Sequence, residues 1–177
     1  MPLSVHEIVV PAMIHGLGVM DDYIDHAERL AAAKKVPVSE IFGARLAPDM
    51  LSLADQIAVL CNKVEAHVAK LGRREVPAPV KLLPTSATLK ARIADTVRYL
   101  NGLEPEDLAG AESHTYELSP PIARGWFGGI DYITLLVVPD FHFHVATAHD
   151  ILRHLGAPVG KRDYLGWLSQ ESGGAYS

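Results

Sequence analysis

Between residues 140 and 155 the residues Phe141, Val145, Ala148, Ile151, Leu152 and Leu155 recur at three- and four-residue steps, with one histidine, His144, set among them. That period belongs to one face of a helix, and the run is long for a strand, which usually spans about 5–6 residues. Gly156 and Pro158 supply the stop. The assignment matters because the overlapping stretch PDFHFHVATAHDILRH, residues 139–154, carries His142, His144, His149 and His154, and metal sites are often built from histidine clusters. In a strand His142 and His144 would share a face. In a helix, at about 100° per residue, they diverge by about 200°. His142 and His149 then share a side away from the apolar stripe but two turns apart, and His154 lies on a third side. Only His144 points into the core.

The same period recurs upstream. Ser4-x-x-Glu7 has the form of a capping box, and Met13, Leu17, Met20, Ile24, Ala27 and Ala31 continue a first helix to about Lys34. Pro11 either kinks that helix or marks its true first turn. A loop with one short helical turn follows. A second helix opens at APDM with Pro48 in its first turn, carries the stripe Met50, Leu53, Ala54, Ile57, Leu60, Cys61, Val64, Val68 and Leu71, and stops at Gly72. Residues 73–87 hold three prolines and no period, so they read as an extended connection. Leu89, Ile93, Val97 and Leu100 mark a third helix ending at Asn101-Gly102. From 111 to 130 the pattern shortens to SHTYEL, PP and GWFGG, a small β-hairpin or irregular insertion; Asp131 then caps a short apolar segment before Pro139 opens the last helix. The expectation is an all-α four-helix bundle forming a single domain over 1–177.

Length and charge narrow the function. A chain of 177 residues, 49% of them apolar, supplies one well-buried core. A formal charge of -5 without any basic run argues against a nucleic-acid partner. No stretch has the form of a signal peptide or a membrane span, so the cytosol is the simplest location. The one cysteine, Cys61, lies among apolar neighbours and reads as a buried, inert thiol. Two histidine motifs fall away: the His-x-His of metal-binding barrels belongs to folds of about 250 residues, and the zincin H-E-x-x-H is missing.

Three segments together, RLAPDMLSLADQ at 45–56, PDFHFHVATAHDILRH at 139–154 and GAPVGKRDYLG at 156–166, resemble an uncharacterised bacterial family known as a domain of unknown function, DUF1993. That family is similar in fold to the DinB/YfiT-like superfamily of four-helix bundles, whose members are often described as metalloenzymes. The resemblance implies the bundle and, from the superfamily, a divalent metal held by three histidines: one from the second helix and two spaced i, i+4 on the fourth. Here His144 matches one fourth-helix position, but position 148 is Ala and position 140 is Asp. Asp140 and His144 with His67 or Asp49 are the candidate metal ligands that remain.

His144 either fills core volume with a satisfied hydrogen bond or acts as a ligand or general base. Asp49 and Gln56, seven apart on one edge of the second helix, join it as candidate ligand-binding residues; Asp49 is also explained by the helix dipole. Arg45, Arg92 and Arg153 are expected in rim ion pairs with acids such as Asp49 or Asp95, and GKRDYLG as a solvated tail. His6, His15 and His26 read as surface residues. Trp126 and Trp167, outside the helices, plug bundle ends or make a dimer contact. Two functions stay open: a bundle binding a small molecule or metal near His144, or a non-catalytic structural module, such as a homodimer, with a satisfied core histidine.

Overall fold

The computed structural model describes residues 3–118 and 124–166. Four long helices, α1 (Val5–Lys34), α3 (Leu53–Leu71), α4 (Ser86–Asn101) and α6 (Val138–His154), form a bundle; the short α2 (Val38–Gly43) lies between the first two. Helix α1 packs between α4 and α6, and α3 packs against the same pair from the far side. The routes from α1 to α3 and from α4 to α6 therefore cross diagonals of the bundle, and the chain uses long connections for both. One shared core contains Leu17, Met20 and Ile24 of α1, Ile57 of α3, Leu89 of α4 and Leu152 of α6. Each such side chain contributes about 1.5–3 kcal/mol by leaving water.

Local chemistry sets the helix starts. Ser4 and Glu7 exchange the two bonds of a capping box, as the sequence suggests, and α1 runs on through Pro11, which faces solvent. Helix α3 begins later than expected. Residues 47–50 make a separate turn, closed by Met50 N–H to Ala47 O at 3.1 Å, and Ser52 is the cap, its hydroxyl donating to Asp55 at 2.6 Å. A serine with a carboxylate three residues on satisfies two free N–H groups, an advantage that Pro48 at a first turn cannot match.

The region before α6 also corrects the sequence reading. A hairpin of β1 (Thr115–Leu118) and β2 (Gly125–Gly128) is present, with Tyr116 opposite Phe127. From α5 (Gly129–Asp131) the chain then stays helical into α6, passing through a π-helical stretch, Tyr132–Val137. Neither Asp131 as a cap nor Pro139 as an opening is realised. Pro139 lies in the first turn after the π stretch; it has no N–H to give and its ring crowds the carbonyl four residues back, so the ladder widens there instead of breaking. Gly129 is required by contact: a Cβ there would lie 2.0 Å from the Ala111 carbonyl oxygen.

After α6 the segment α7 (Lys161–Leu165) returns against α1 and α6. Tyr164 reaches His142 Nδ1 at 3.3 Å and Asp163 lies 3.8 Å from His26, so this segment is docked, not a solvated tail. Trp126 is 69% exposed on β2 and plugs no bundle end among the described residues, while Trp167 lies outside them. Among the described residues no helix is long and apolar enough to cross a membrane.

Candidate functional site

Gln56, Lys63, His67 and Lys70 follow one another along α3 at steps of seven, four and three, which keeps them on one side of the helix. That side meets α6, where Asp140 and His144 lie one turn apart, and the π stretch, which supplies Tyr132. The result is a polar ladder through the α3–α6 seam.

His144, buried, has Nδ1 2.6 Å from Gln56 Oε1. An amide oxygen only accepts, so Nδ1 carries the proton. The amide itself is oriented by its NH₂, which donates to Leu51 O at 3.4 Å. Burial, with the nearby charges of Lys63 and His67, pushes the His144 imidazole down to about 4, against an opposing pull from Asp140. The ring is neutral near pH 7, and Nε2 keeps a bare lone pair. No hydrogen-bond partner meets that lone pair among the described residues, and the nearest carboxylate oxygen, Asp140 Oδ1, is 3.8 Å away and is itself an acceptor.

Asp140 is held from the other side. Lys63 Nζ donates to Oδ1 at 2.6 Å and His67 Nε2–H donates to Oδ2 at 3.1 Å. Desolvation raises the carboxyl, but the bonds from His67 and Lys63 and the Lys63 charge outweigh it, so Asp140 stays well below the usual carboxylate range. In a neutral His67 ring this leaves Nδ1 to accept the Tyr132 hydroxyl at 2.9 Å. Burial, Tyr116 and Asp140 raise the Tyr132 phenol far above its ordinary value, so it remains a donor. Its ring packs on Tyr116 at 4.8 Å, with Lys70 Nζ 5.9 Å from its centre.

Of the residues singled out from sequence, His144, Gln56, Asp140 and His67 come together. Asp49 does not join them: it is exposed on the turn before α3, because the helix starts at Leu53. Two members went unread. Lys63 was visible in principle, seven residues from Gln56 and four from His67 on the same edge. Tyr132 was hidden by the π stretch, which changes the register between 132 and 140. Arg92 is a further correction: buried, not at the rim, it grips Glu65 through both terminal nitrogens at 2.6 and 2.8 Å. Arg45 and Arg153 bond the carbonyls of Met50 and Val159. Cys61 is buried and its thiol is pushed up to about 11 by desolvation.

Residues 5–165 match the domain of unknown function DUF1993. The chain belongs to this family. A crystal structure described as a DinB family member protein from Shewanella denitrificans is similar at 32% identity and a TM-score of 0.84, over 93% of each chain. No curated protein matches. This DUF1993 protein therefore has a DinB-like bundle, and the superfamily's metal can be tested against it. The residues do not fit. Among the described residues no three His, Cys, Asp or Glu side chains are grouped to hold an ion, and the carboxylate between the two imidazoles is engaged by the Lys63 ammonium.

Proposed function

We propose that this DUF1993 protein binds a small polar molecule in the α3–α6 seam, with His144 Nε2 accepting a hydrogen bond from it and Lys63 donating one. The observation that carries the reading is the buried Nε2 lone pair with no hydrogen-bond partner among the described residues. Leaving a buried polar atom unmatched costs about 1–3 kcal/mol, and an O–H or N–H donor on a ligand removes that cost. Exposure supports an entry at the Lys63 end: 30% of that side chain is accessible, against 5% for His144. The fixed tautomer makes His144 a base as well as an acceptor, since Nε2 can take a proton while Nδ1–H stays on Gln56.

The test is a panel of small alcohols, amides and hydroxy acids added to ¹⁵N-histidine-labelled protein. A member that binds shifts the His144 Nε2 resonance and raises the melting temperature, and both effects vanish in His144→Phe. If no compound moves that nitrogen, water alone meets it and the histidine is structural; equal stabilisation of His144→Phe would place any binding elsewhere.

A further inference from the structure

The α3–α6 corner carries the donor types that a metal centre uses, not drawn together around one point among the described residues, and an ammonium lies beside them. His67 and His144 both aim Nε2 at Asp140, at 3.1 Å from Oδ2 and 3.8 Å from Oδ1. Two imidazoles and one carboxylate form a common set of protein ligands for catalytic zinc. Each ring is also tied at its other nitrogen, His67 Nδ1 to Tyr132 at 2.9 Å and His144 Nδ1 to Gln56 at 2.6 Å. Such outer hydrogen bonds orient the rings of metal-bound histidines. The feature at odds with this pattern is Lys63, 2.6 Å from Asp140 Oδ1.

We propose that Lys63 is the resident cation of this corner: its ammonium takes the positive-charge position among Asp140, His67 and His144, and so keeps divalent transition metals out. A metal must compete with a tethered like charge for the same carboxylate. The ammonium nonetheless satisfies only part of the donor set. It bonds Asp140 and leaves the His144 lone pair without a donor, as expected where a one-plus ion on a chain replaces an ion that several atoms could share. The consequence for chemistry at the seam is specific: an oxygen bound there is polarised by ammonium N–H donors, with His144 as the adjacent base. The inference shares its residues with the proposed ligand site but needs no ligand, so either can fail alone.

The experiment is calorimetric titration of zinc and nickel ions into tag-free protein at about pH 7.5, where free imidazoles are mostly unprotonated. Lys63→Met and Lys63→Ala should each bind one ion roughly 10–100-fold more tightly than the wild type, the scale on which neighbours of metal ligands alter affinity. Adding His144→Phe to Lys63→Met should return binding to the wild-type level. One zinc bound by the wild type as tightly as by Lys63→Met overturns the proposal. So does a folded pair of Lys63 variants that binds no better than wild type, and so does loss of fold in both, which would make the ammonium structural.

Discussion

On its α4 side, α3 meets Arg92 with Glu65, and the carboxylate takes three bonds: two from the guanidinium and a third from the Thr96 hydroxyl at 3.1 Å. On its α6 side, α3 meets Asp140 with Lys63 and His67, and the neighbouring His144 is left with a bare acceptor. Both networks cross between helices, and each leaves one buried nitrogen unmatched among the described residues, Arg92 Nε in the first and His144 Nε2 in the second. They differ in what that nitrogen can do. Arg92 Nε is a single N–H on a group already fixed by a planar fork, and the same guanidinium also bonds Asn62, whose side chain pairs with the Val80 backbone in both directions. That network fastens the extended 73–85 segment to the bundle. His144 Nε2 is a lone pair beside an ion pair that reaches solvent through Lys63.

The largest effect should come from the fastening network. Arg92→Ala leaves Glu65, only 12% of whose side chain is accessible, with the Thr96 hydroxyl but no cation, and breaking a buried pair from one side costs about 3–5 kcal/mol. Urea denaturation of Arg92→Ala beside an Arg92→Met/Glu65→Met double variant measures this, and the double variant should recover most of the loss. A cost below about 1 kcal/mol for Arg92→Ala would mean that the two networks do not differ in the way described.

An intermediate effect follows from the depressed imidazole. The folded protein keeps His144 neutral down to about pH 4, whereas the unfolded chain takes up that proton near 6.5. The unfolded state therefore binds more protons between those values, and stability falls as pH drops through the window, by about 3 kcal/mol in total. Asp140 acts further down: its lowered carboxyl contributes stability above the ordinary aspartate value of 3.8 that is lost as the acid is protonated. In His144→Phe the pH 4 to 6.5 portion should shrink to the share of His26, whose imidazole is also lowered by burial, while the lower portion stays. A wild-type stability curve flat between pH 6.5 and 4 would show that His144 is not held neutral, and the seam's bare acceptor would vanish with it.

The bundle was legible because burial imposes a period. The stripes Met13 to Ala31, Leu53 to Leu71 and Phe141 to Leu152 are continuous in sequence and are the ones that pack. His144 could be placed for the same reason, as the one polar residue in an otherwise apolar row. What the period cannot carry is a change of pitch or a pairing across helices. The π stretch shifts Tyr132 out of the register that a 3.6-residue step predicts. Lys63 looks like any surface lysine until α6 brings Asp140 to it. Nothing local in α4 shows that Glu65 waits on the neighbouring helix, so sequence alone places Arg92 at the rim.

The smallest effect sharpens the comparison most directly at the helix start. Asp49, seven residues from Gln56, would share its edge if α3 began at Pro48; with Ser52 as the cap, that argument loses its helix. Asp49 lies instead on an exposed turn, and its removal should change stability by less than about 0.5 kcal/mol. The same spacing argument is valid between Gln56 and Lys63, which do lie on continuous helix. Asp49→Ala should therefore leave the His144 nitrogen resonances where they are, while Lys63→Met moves them by taking away the charge beside the ring. If Asp49→Ala shifts Nε2 as far as Lys63→Met does, the turn reaches the seam in solution, and the boundary between the polar edge of α3 and its inert approach has to be redrawn toward residue 49.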